Sequence, residues 1–545
     1  MMKRLTDPPC GAACSHEGAG AKRESVVKRL RDRLSTPEGM RLFKTLVAGK
    51  AIALFLLFVV FAGVSSLLGS GAHAADDPHA PAATINAVNT MWTLIAAFLV
   101  FAMQIGFTML EAGFCRSRET VNILMECIAD TCLCGILFWA WGFAFMFSAG
   151  TPWIGTHWFF LNGAPDIYFA TGVPMLAFWL FQFAFADCAS TITSGAMAGR
   201  TGFLGDLVYS VGVSGFIYPI IGHWAWGPDG WLATMGSKGN VFASLGVPFH
   251  DFAGSTVVHT IGGVMALAGS IVLGPRLGRI FKRDGGGPMP AHDLVIAAIG
   301  GMILWFGWYG FNPGSTLSGM DFQGISRVAT NTTLAACAGG LVAMAVVYQR
   351  TKVWDLSFTV NGFLAGLVAI TCPCYWVNPL GATVLGAVAG VVVVASVEMF
   401  EWFRLDDPVG AVSVHAVCGI WGTLSLGLFA CGKFGATGPT GADNSATAVV
   451  TGLFYGGGAH QLIAQIIGSA SITLATFVSA YVLMKAVDML GILRVSKEGE
   501  LAGLDNHEHG GPAYPEYALN SLGTHTGHPA PNVSASLKEA LTHNP

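Results

Sequence analysis

Two histidines lie inside apolar stretches of the chain, and each is preceded at the same interval by an aspartate. Asp251 comes eight residues before His259, and Asp407 comes eight residues before His415. Ionisable side chains within membrane-spanning segments are costly, so they are candidates for function. If each aspartate opens a helix, the interval places each histidine about 12 Å along it, well below the membrane surface.

A metal site is one alternative for the two histidines, and a pair of hydrogen-bonded packing residues is another. Zinc sites normally take three or four protein ligands. Cys418, three residues after His415, is the single further candidate ligand near either histidine. We therefore expect the pair to serve a conduction or binding site that uses no metal and no other cofactor.

Aromatic side chains form a second group with chemical potential. Phe181 and Phe185 are four residues apart, which places them on one face of a helix. A run from Trp305 to Ser315 is equally rich in aromatic residues, and Trp226 follows the predicted fourth span. An interfacial aromatic belt is the ordinary explanation, but it fits the phenylalanine pair poorly. Ring faces attract cations, and a serine hydroxyl nearby would add an acceptor.

The elements that must position these residues are membrane helices. The 545 residues are 53% hydrophobic and 11% charged, with a net charge of −4, whereas a soluble domain is about 25% charged. This composition disfavours a soluble enzyme, a disordered chain and a nucleic-acid partner. Apolar runs of about 18 residues or more indicate spans. Eleven are predicted, near 90–112, 122–148, 172–197, 203–225, 252–274, 293–314, 325–349, 357–377, 379–400, 411–431 and 460–489.

The two Asp–His pairs begin the predicted fifth and tenth spans. An offset of five spans inverts the direction of the chain, which is typical of an inverted repeat. The predicted fold is therefore an all-α polytopic membrane protein in which helices 1–5 and 6–10 are repeats and an eleventh helix follows. Sites in such folds lie at the repeat interface near the membrane midplane, so His259 and His415 are expected to meet there.

Basic residues orient the spans, because cytoplasmic connections are enriched in Lys and Arg. One set of alternate connections carries Arg116, Arg118, Arg200, Arg276, Arg279, Lys282, Arg283, Arg350, Lys352, Arg404, Arg494 and Lys497. The opposite set carries Lys238, Arg327 and Lys433. This asymmetry places the C-terminus in the cytoplasm and the mature N-terminus outside.

Residues 1–74 are predicted to be an N-terminal extension with a cleaved signal peptide. An apolar stretch at 51–69 follows basic residues and precedes Ala72-His73-Ala74, which has the A-x-A form of a cleavage site. Met40 is an alternative start, and a retained extra span with a cytosolic tail is the alternative to cleavage. Residues 75–493 would then form the membrane domain and 494–545 a cytoplasmic tail. The tail is too short for a kinase or cyclase, and we find no G-x-x-x-x-G-K-[ST] phosphate loop.

Several long motifs occur in the order found in one family. They include MQIGFTMLEAGFCRSRETVNILM, FQFAFA, DFAGSTVVHTIGG, GWYGFNPGS and DDPVGAVSVHAVCGIWG. The chain resembles the ammonium transporter family (Amt/Mep/Rh), and specifically its Amt branch, from about residue 84 to about residue 517. The resemblance implies a homotrimer of eleven-helix protomers, each with its own narrow pore. The expected location is the bacterial inner (plasma) membrane.

The same resemblance implies roles for individual residues. The outer site that recruits ammonium would comprise Trp226, Ser315, Phe181 and Phe185, and Phe185 with Phe311 would form the gate. His259 and His415 would share a ring-to-ring hydrogen bond in the pore, with Trp308 beside them. Asp251 would hold the local geometry without contacting the ion, and Asp407 and Pro408 would be structural. Pro313, where alanine is usual, departs from the family pattern without touching these residues.

The expected function is ammonium transport without enzymatic activity. Moving an unpaired charge into a dry apolar pore is very costly, so ammonium would lose its proton and cross as ammonia. The proton either stays outside or crosses separately along the histidines. The alternative function is an ammonium sensor that signals through a cytoplasmic partner, although a fused signalling domain would be expected there.

A PII-type nitrogen-signalling protein is the predicted partner at the cytoplasmic face. The resemblance implies such a partner, and the sequence adds a basic cluster formed by Arg276, Arg279, Lys282 and Arg283. The alternative is that these residues only set the topology. Ammonium, ammonia and membrane lipid complete the expected partners.

Overall fold

The computed structural model describes residues 83–168, 171–435 and 449–515. The predicted leader at 1–74 and the end of the tail lie outside the described residues. Within them, ten helices are long and apolar enough to cross a membrane. With the shorter apolar helix α8 included, the order is α1 (Asn86–Phe114), α2 (Ser117–Phe147), α3 (Met175–Gly195), α4 (Phe203–Trp226), α5 (Ser255–Leu273), α6 (Leu294–Thr316), α7 (Phe322–Thr351), α8 (Leu356–Ile370), α9 (Pro379–Phe403), α10 (Val412–Phe429) and α11 (His460–Met489).

Helix α8 is shorter than the predicted span at 357–377. It begins after Asp355, whose carboxylate accepts a hydrogen bond from the Phe358 N–H at 2.9 Å. Pro373 cannot donate to a helical hydrogen bond, so the chain turns after Ile370. Because Cys372 and Trp376 are fully buried, this irregular backbone lies inside the protein, where it is tolerated at membrane depth. The count of eleven spans stays a prediction.

Glycines allow the closest helix contacts. A Cβ added to Gly106 of α1 would lie 2.9 Å from the Gly300 carbonyl oxygen of α6, and one added to Gly300 would lie 2.6 Å from the Gly106 oxygen. Between α7 and α8, a Cβ on Gly339 would lie 2.5 Å from the Gly362 oxygen. Lipid provides no hydrophobic force between helices, so their association depends on close van der Waals packing. Small residues such as these glycines allow the backbones to approach closely enough for it.

Four short strands lie in the connection between α2 and α3. Strand β1 (Gly150–Thr151) pairs antiparallel with β2 (Ile154–Gly155), and β3 (Ile167–Tyr168) pairs antiparallel with β4 (Val173–Pro174). The first hairpin lies next to the α4 terminus, where the His223 ring bonds the carbonyl oxygens of Met146 and Thr151 at 2.9 Å each. The connection is therefore fastened to the end of α4.

Two short helices, α12 (Lys497–Ala502) and α13 (Leu504–Glu508), end the described chain. Arg494 joins them to α5 by donating to the Leu273 carbonyl oxygen at 2.6 Å and to the Glu500 carboxylate at 2.9 Å. In α13, Asp505 accepts a hydrogen bond from the Asn122 N–H of α2 at 3.0 Å. The start of the tail is thus bound to the membrane helices.

Ion pairs join several of the basic connections to one another at one end of the helices. Arg276 pairs with Asp406, Arg279 pairs with Glu401, and Arg404 pairs with Asp284. We call this the basic end, and we call the opposite end, where Trp226 and Ser315 lie, the aromatic end.

Candidate functional site

A group of aromatic rings closes the aromatic end of the helices. Phe181 and Phe185, one turn apart on α3, have ring centroids separated by 4.6 Å. Trp226 ends α4, so it belongs to that helix and does not lie beyond it as expected, and its ring centroid is 6.3 Å from Phe185. Ser315 lies in the last turn of α6 and donates its hydroxyl to the Phe311 carbonyl oxygen at 2.7 Å. The hydroxyl oxygen keeps its lone pairs and can still accept a hydrogen bond.

Phe185 of this group stacks directly on Phe311. Their ring centroids are 4.0 Å apart, with an interplanar angle of 27°. Both side chains are buried. Since the two rings come from α3 and α6, they form an apolar plug between helices of the two predicted repeats.

The segment that leads into α5 is not helical, so the expectation that Asp251 opens this helix is wrong. The Asp251 carboxylate accepts hydrogen bonds from the N–H groups of Gly254, Thr256 and Val257, at 3.0, 2.9 and 2.8 Å. It thereby satisfies donors that have no partner inside the first turn of a helix. The Trp226 indole donates to the Asp251 carbonyl oxygen at 2.8 Å, so one residue fixes both the helix start and the aromatic site.

Asp407 performs the same task before α10, where the expectation that it opens the helix is wrong for the same reason. Its carboxylate accepts from the N–H groups of Gly410 and Ala411 at 3.0 Å and from that of Val412 at 2.8 Å. Pro408 follows in the same non-helical segment. The equal spacing of aspartate and histidine therefore reflects a shared capping turn and not two turns of helix.

His259 and His415 meet in the buried interior. Their Nδ1 atoms are 3.2 Å apart, and the ring centroids are separated by 5.2 Å. Each histidine lies in a π-helical turn, Ser255–Thr260 in one case and Val412–Val417 in the other. Helix α5 begins at the aromatic end and α10 at the basic end, so the two turns approach from opposite directions. Single π-turns of this kind occur frequently at functional sites.

Two glycines permit this meeting, and each lies four residues after a histidine. A Cβ on Gly263 would lie 2.2 Å from the Ala416 nitrogen, and one on Gly419 would lie 2.5 Å from the Ser255 oxygen. Any side chain at either position would push α5 and α10 apart. The reciprocal contacts match the relation expected between two repeats.

The His259 ring is enclosed by aromatic neighbours. Its centroid is 5.0 Å from that of Trp308 and 5.2 Å from that of Phe311. The Trp308 indole donates to the Thr371 hydroxyl at 2.9 Å, which fixes the tryptophan against the turn after α8. The Phe185–Phe311 pair and the histidines therefore share one continuous stack of rings.

A cavity of about 350 Å³ opens at the basic end and contains an ion pair in its wall. Arg276 donates from Nε and Nη2 to the two Asp406 carboxylate oxygens, at 2.8 and 2.9 Å. Burial alone would raise the pKa of Asp406, but the hydrogen bonds and charge of Arg276 outweigh it and hold that pKa well below its usual range. Asp406 is therefore ionised at neutral pH and fixes the shape of the cavity mouth.

Several buried acidic residues were missed by the sequence reasoning. They are Glu111 of α1, Glu126 and Asp130 of α2, Asp187 of α3 and Asp206 of α4. All five stand in predicted spans, so the rule that singled out the histidines also applies to them. In the part of the chain that the structure describes, no cluster of three or more His, Cys, Asp or Glu side chains is placed to hold a metal ion.

Comparison with known proteins finds relatives over most of the chain. The family model for the Ammonium Transporter Family matches residues 91–514. Ammonium transporter Amt2 of Archaeoglobus fulgidus is 41% identical over 478 residues, which cover 86% of this chain and 95% of the relative. Among solved structures, one titled Sensor Amt Protein has a TM-score of 0.67 at 34% identity, covering 78% of this chain and 99% of its own. Candida albicans Mep2 has a TM-score of 0.66 at 27% identity, covering 76% and 87%.

Proposed function

The chain belongs to the ammonium transporter family, and from this membership we propose that it recruits ammonium at the aromatic end, deprotonates it and conducts ammonia past His259 and His415. Family membership supports ammonium transport as the function. The observation that best supports the mechanism is the buried histidine pair, with Nδ1 atoms 3.2 Å apart, beneath a stacked aromatic gate.

The proposed orientation puts the basic end in the cytoplasm, because basic residues concentrate there. The aromatic end then faces outward, and α8 with its buried turn counts as the eleventh span. The protein would assemble as a homotrimer in a bacterial plasma membrane, with residues 1–74 removed. Native mass spectrometry of the detergent-solubilised protein gives the oligomer mass directly, and a monomer mass would contradict the trimer.

Recruitment would depend on ring faces and one hydroxyl. Phe181, Phe185 and Trp226 together offer the negative faces of their π-systems to a cation, which is worth about 1–2 kcal/mol. Ser315 can accept one hydrogen bond from ammonium. A site of this strength concentrates the ion at the pore mouth without trapping it.

Selectivity would come from the gate and the apolar pore beneath it. Potassium resembles ammonium in size, so a ring of carbonyl ligands would discriminate poorly between them. A permanent cation that passes the stacked Phe185 and Phe311 rings loses its hydration shell and gains no ligands in exchange. The free-energy cost of this dehydration is prohibitive in an apolar interior. Ammonium escapes this cost by giving up a proton, whereas potassium cannot.

The histidines would then hold ammonia by hydrogen bonds. Two neutral imidazoles that share one Nδ1 proton each keep Nε2 for other partners. Within the described residues, His259 Nε2 is buried and makes no hydrogen bond to the protein. Ammonia, which both donates and accepts, can satisfy it.

The test is a pair of measurements on purified wild-type protein in proteoliposomes. Ammonium and potassium jumps are applied in turn while membrane current and internal pH are recorded. The proposal predicts an ammonium response without a potassium response. Current together with flux would indicate that the proton crosses too, and flux without current would indicate that it stays outside. An equal response to potassium, or none to ammonium, would contradict the proposal.

An ammonium sensor is a second candidate, supported by the similarity to the structure titled Sensor Amt Protein. A sensor needs ammonium binding but no throughput. Ammonium-dependent change in tryptophan fluorescence without any flux in the proteoliposome measurement would favour this function over transport.

We also propose regulation by a PII-type protein at the basic end. The family resemblance and the cavity of about 350 Å³ support it. The predicted basic cluster is partly engaged within the protein, because Arg276 and Arg279 pair with Asp406 and Glu401. Co-purification of a PII protein after an ammonium pulse to nitrogen-starved cells tests the idea, and no association under any nitrogen condition would count against it.

A further inference from the structure

A small cavity lies next to His415, on the side of the histidine pair that faces the basic end. Its volume is about 20 Å³, and its wall includes Phe107, Leu110 and Glu111 of α1, Asn361 of α8 and His415 itself. A cavity of about 10–15 Å³ is enough to hold one water molecule, provided that two to four polar groups can bond it. The side chains of Glu111, Asn361 and His415 are three such groups.

Glu111 is buried, with 2% of its surface exposed, inside a membrane-spanning helix. The Ser194 hydroxyl of α3 reaches its Oε2 only at 3.3 Å, which is long for such a bond, and the same hydroxyl also donates to the Thr191 carbonyl oxygen at 2.8 Å. A buried carboxylate is costly in this setting, and one long hydroxyl bond offsets little of that cost. Ionisable groups held at such expense are usually functional.

The small cavity continues toward the cytoplasmic mouth. Asn361, Val409 and Gly410 line both the small cavity and the cavity of about 350 Å³. On α1, Phe107 contacts His415, with ring centroids 6.2 Å apart, and Phe114 lines the larger cavity. Glu111 stands between these two residues on the same helix face. Glu111 lines the small cavity only, and Asn361 is the polar side chain common to both walls, so a route from His415 by way of Glu111 to the basic end would pass Asn361.

Asn361 adds an acceptor to this route. Its amide nitrogen donates to the Val409 carbonyl oxygen at 3.2 Å. Its Oδ1 is buried and has no hydrogen-bond partner among the described residues. A water molecule in the cavity would supply the missing donor.

We propose that Glu111 is the proton acceptor on the cytoplasmic side of the histidine pair, reached from His415 through one water molecule in the small cavity. This inference rests on the proposed function and on the route in which the proton crosses with ammonia. The proton that ammonium gives up reaches His415 through His259 and makes it an imidazolium, which then gives a proton to the water from Nε2, the ring nitrogen not bonded to His259. The water passes a proton to the Glu111 carboxylate, and the resulting carboxyl group releases it to water in the larger cavity. One proton moves in total, from ammonium to water in the larger cavity, and it leaves His415 a neutral imidazole and Glu111 a carboxylate.

The test compares Glu111→Gln with wild type in proteoliposomes, recording ammonium-evoked current and ammonia flux in the same preparation. Glutamine keeps the shape and can still accept the Ser194 bond, but it cannot take up a proton. The expected result is a fall of about a hundredfold or more in the ratio of current to flux, in keeping with the loss of a positioned proton-transfer group. Glu111→Asp, which keeps a carboxyl group, is expected to recover part of the ratio.

Glu126→Gln is the matched control. Glu126 is equally buried and accepts a hydrogen bond from Asn122 at 2.8 Å, but it does not line the small cavity. Its ratio of current to flux should equal that of wild type. An equal fall in the control would show a general effect of neutralising buried carboxylates and would overturn the assignment.

Other outcomes separate the inference from the proposed function. A wild-type ratio in folded Glu111→Gln overturns the inference alone, as does wild-type protein that conducts ammonia without current. Wild-type protein with neither flux nor current overturns the proposed function as well. If Glu111→Gln does not fold, Asn361→Leu removes another of the three polar groups and is expected to lower the ratio. An unchanged ratio in Asn361→Leu would then overturn the route.

Discussion

Replacing Asp251 with asparagine tests how the aromatic site and the His259 turn are held in place. The Asp251 carboxylate accepts three backbone N–H bonds of 3.0, 2.9 and 2.8 Å, and it is buried, with 2% of its surface exposed. An amide has only one oxygen. In one orientation it loses the bonds to Thr256 and Val257, and in the flipped orientation it loses the bond to Gly254.

The flipped orientation is the cheaper one, because it forfeits one bond to a charged acceptor and weakens the other two. A hydrogen bond to a charged group contributes about 1.5–3 kcal/mol, and an unsatisfied buried N–H costs a similar amount. We therefore expect Asp251→Asn to lower the free energy of unfolding by about 2–4 kcal/mol. Transport should fall as well, since the His259 turn and the Trp226 indole both depend on this residue.

Thermal unfolding of the purified protein, followed by tryptophan fluorescence, measures the first effect, and ammonium flux in proteoliposomes measures the second. Asp407→Asn is the matched control, because Asp407 also accepts three backbone N–H bonds, two at one oxygen and one at the other, while it is half-buried. Water can replace the lost acceptor there, so its cost should be smaller. Asp251→Glu keeps the charge but misplaces the oxygens and should also fail. Full rescue by glutamate, or a larger loss in Asp407→Asn, would refute the capping role.

Three further predictions follow from the gate, the ion pair and the leader. Phe311→Ala opens the stack with Phe185 and should admit potassium, which potassium-evoked current in proteoliposomes would detect; an unchanged selectivity would remove the gate from the account. The pKa of Asp406 lies below its unfolded value because Arg276 outweighs burial. The stabilising contribution of Asp406 should therefore be complete above about pH 5 and decline as the pH falls further. The unfolding temperatures of wild type and Asp406→Asn should converge at low pH, and parallel curves would contradict this. N-terminal sequencing of the membrane-extracted protein should begin at Ala75, and residues from 1–74 in that protein would refute cleavage.

Much of the fold could be predicted from the sequence, because membrane helices need long apolar runs. The predicted span at 460–489 coincides with α11, and the span at 203–225 differs from α4 by one residue. The backbone between and within helices was harder to predict. The turn after α8 and the capping segment before α5 depend on buried contacts between residues distant in the chain, and hydropathy does not register such contacts.

The types of the residues predicted the candidate site better than their spacing did. Two histidines at matching intervals indicated a meeting point, and the structure brings their rings together. The interval itself was misinterpreted, since it spans a capping turn and not eight helical residues. Glu111 stood in the predicted first span and inside a motif used for the family resemblance, yet its place beside His415 depends on how α1, α8 and α10 pack.

The most direct test of the central claim is the comparison of ammonium and potassium transport in wild type, His259→Ala and His415→Ala. All three proteins would be reconstituted at equal density, and their oligomeric state would be checked before measurement. The account predicts that each variant keeps its assembly but loses most of its ammonium flux or admits potassium. Wild-type flux and selectivity in both variants would contradict the claim that ammonia passes along the paired histidines.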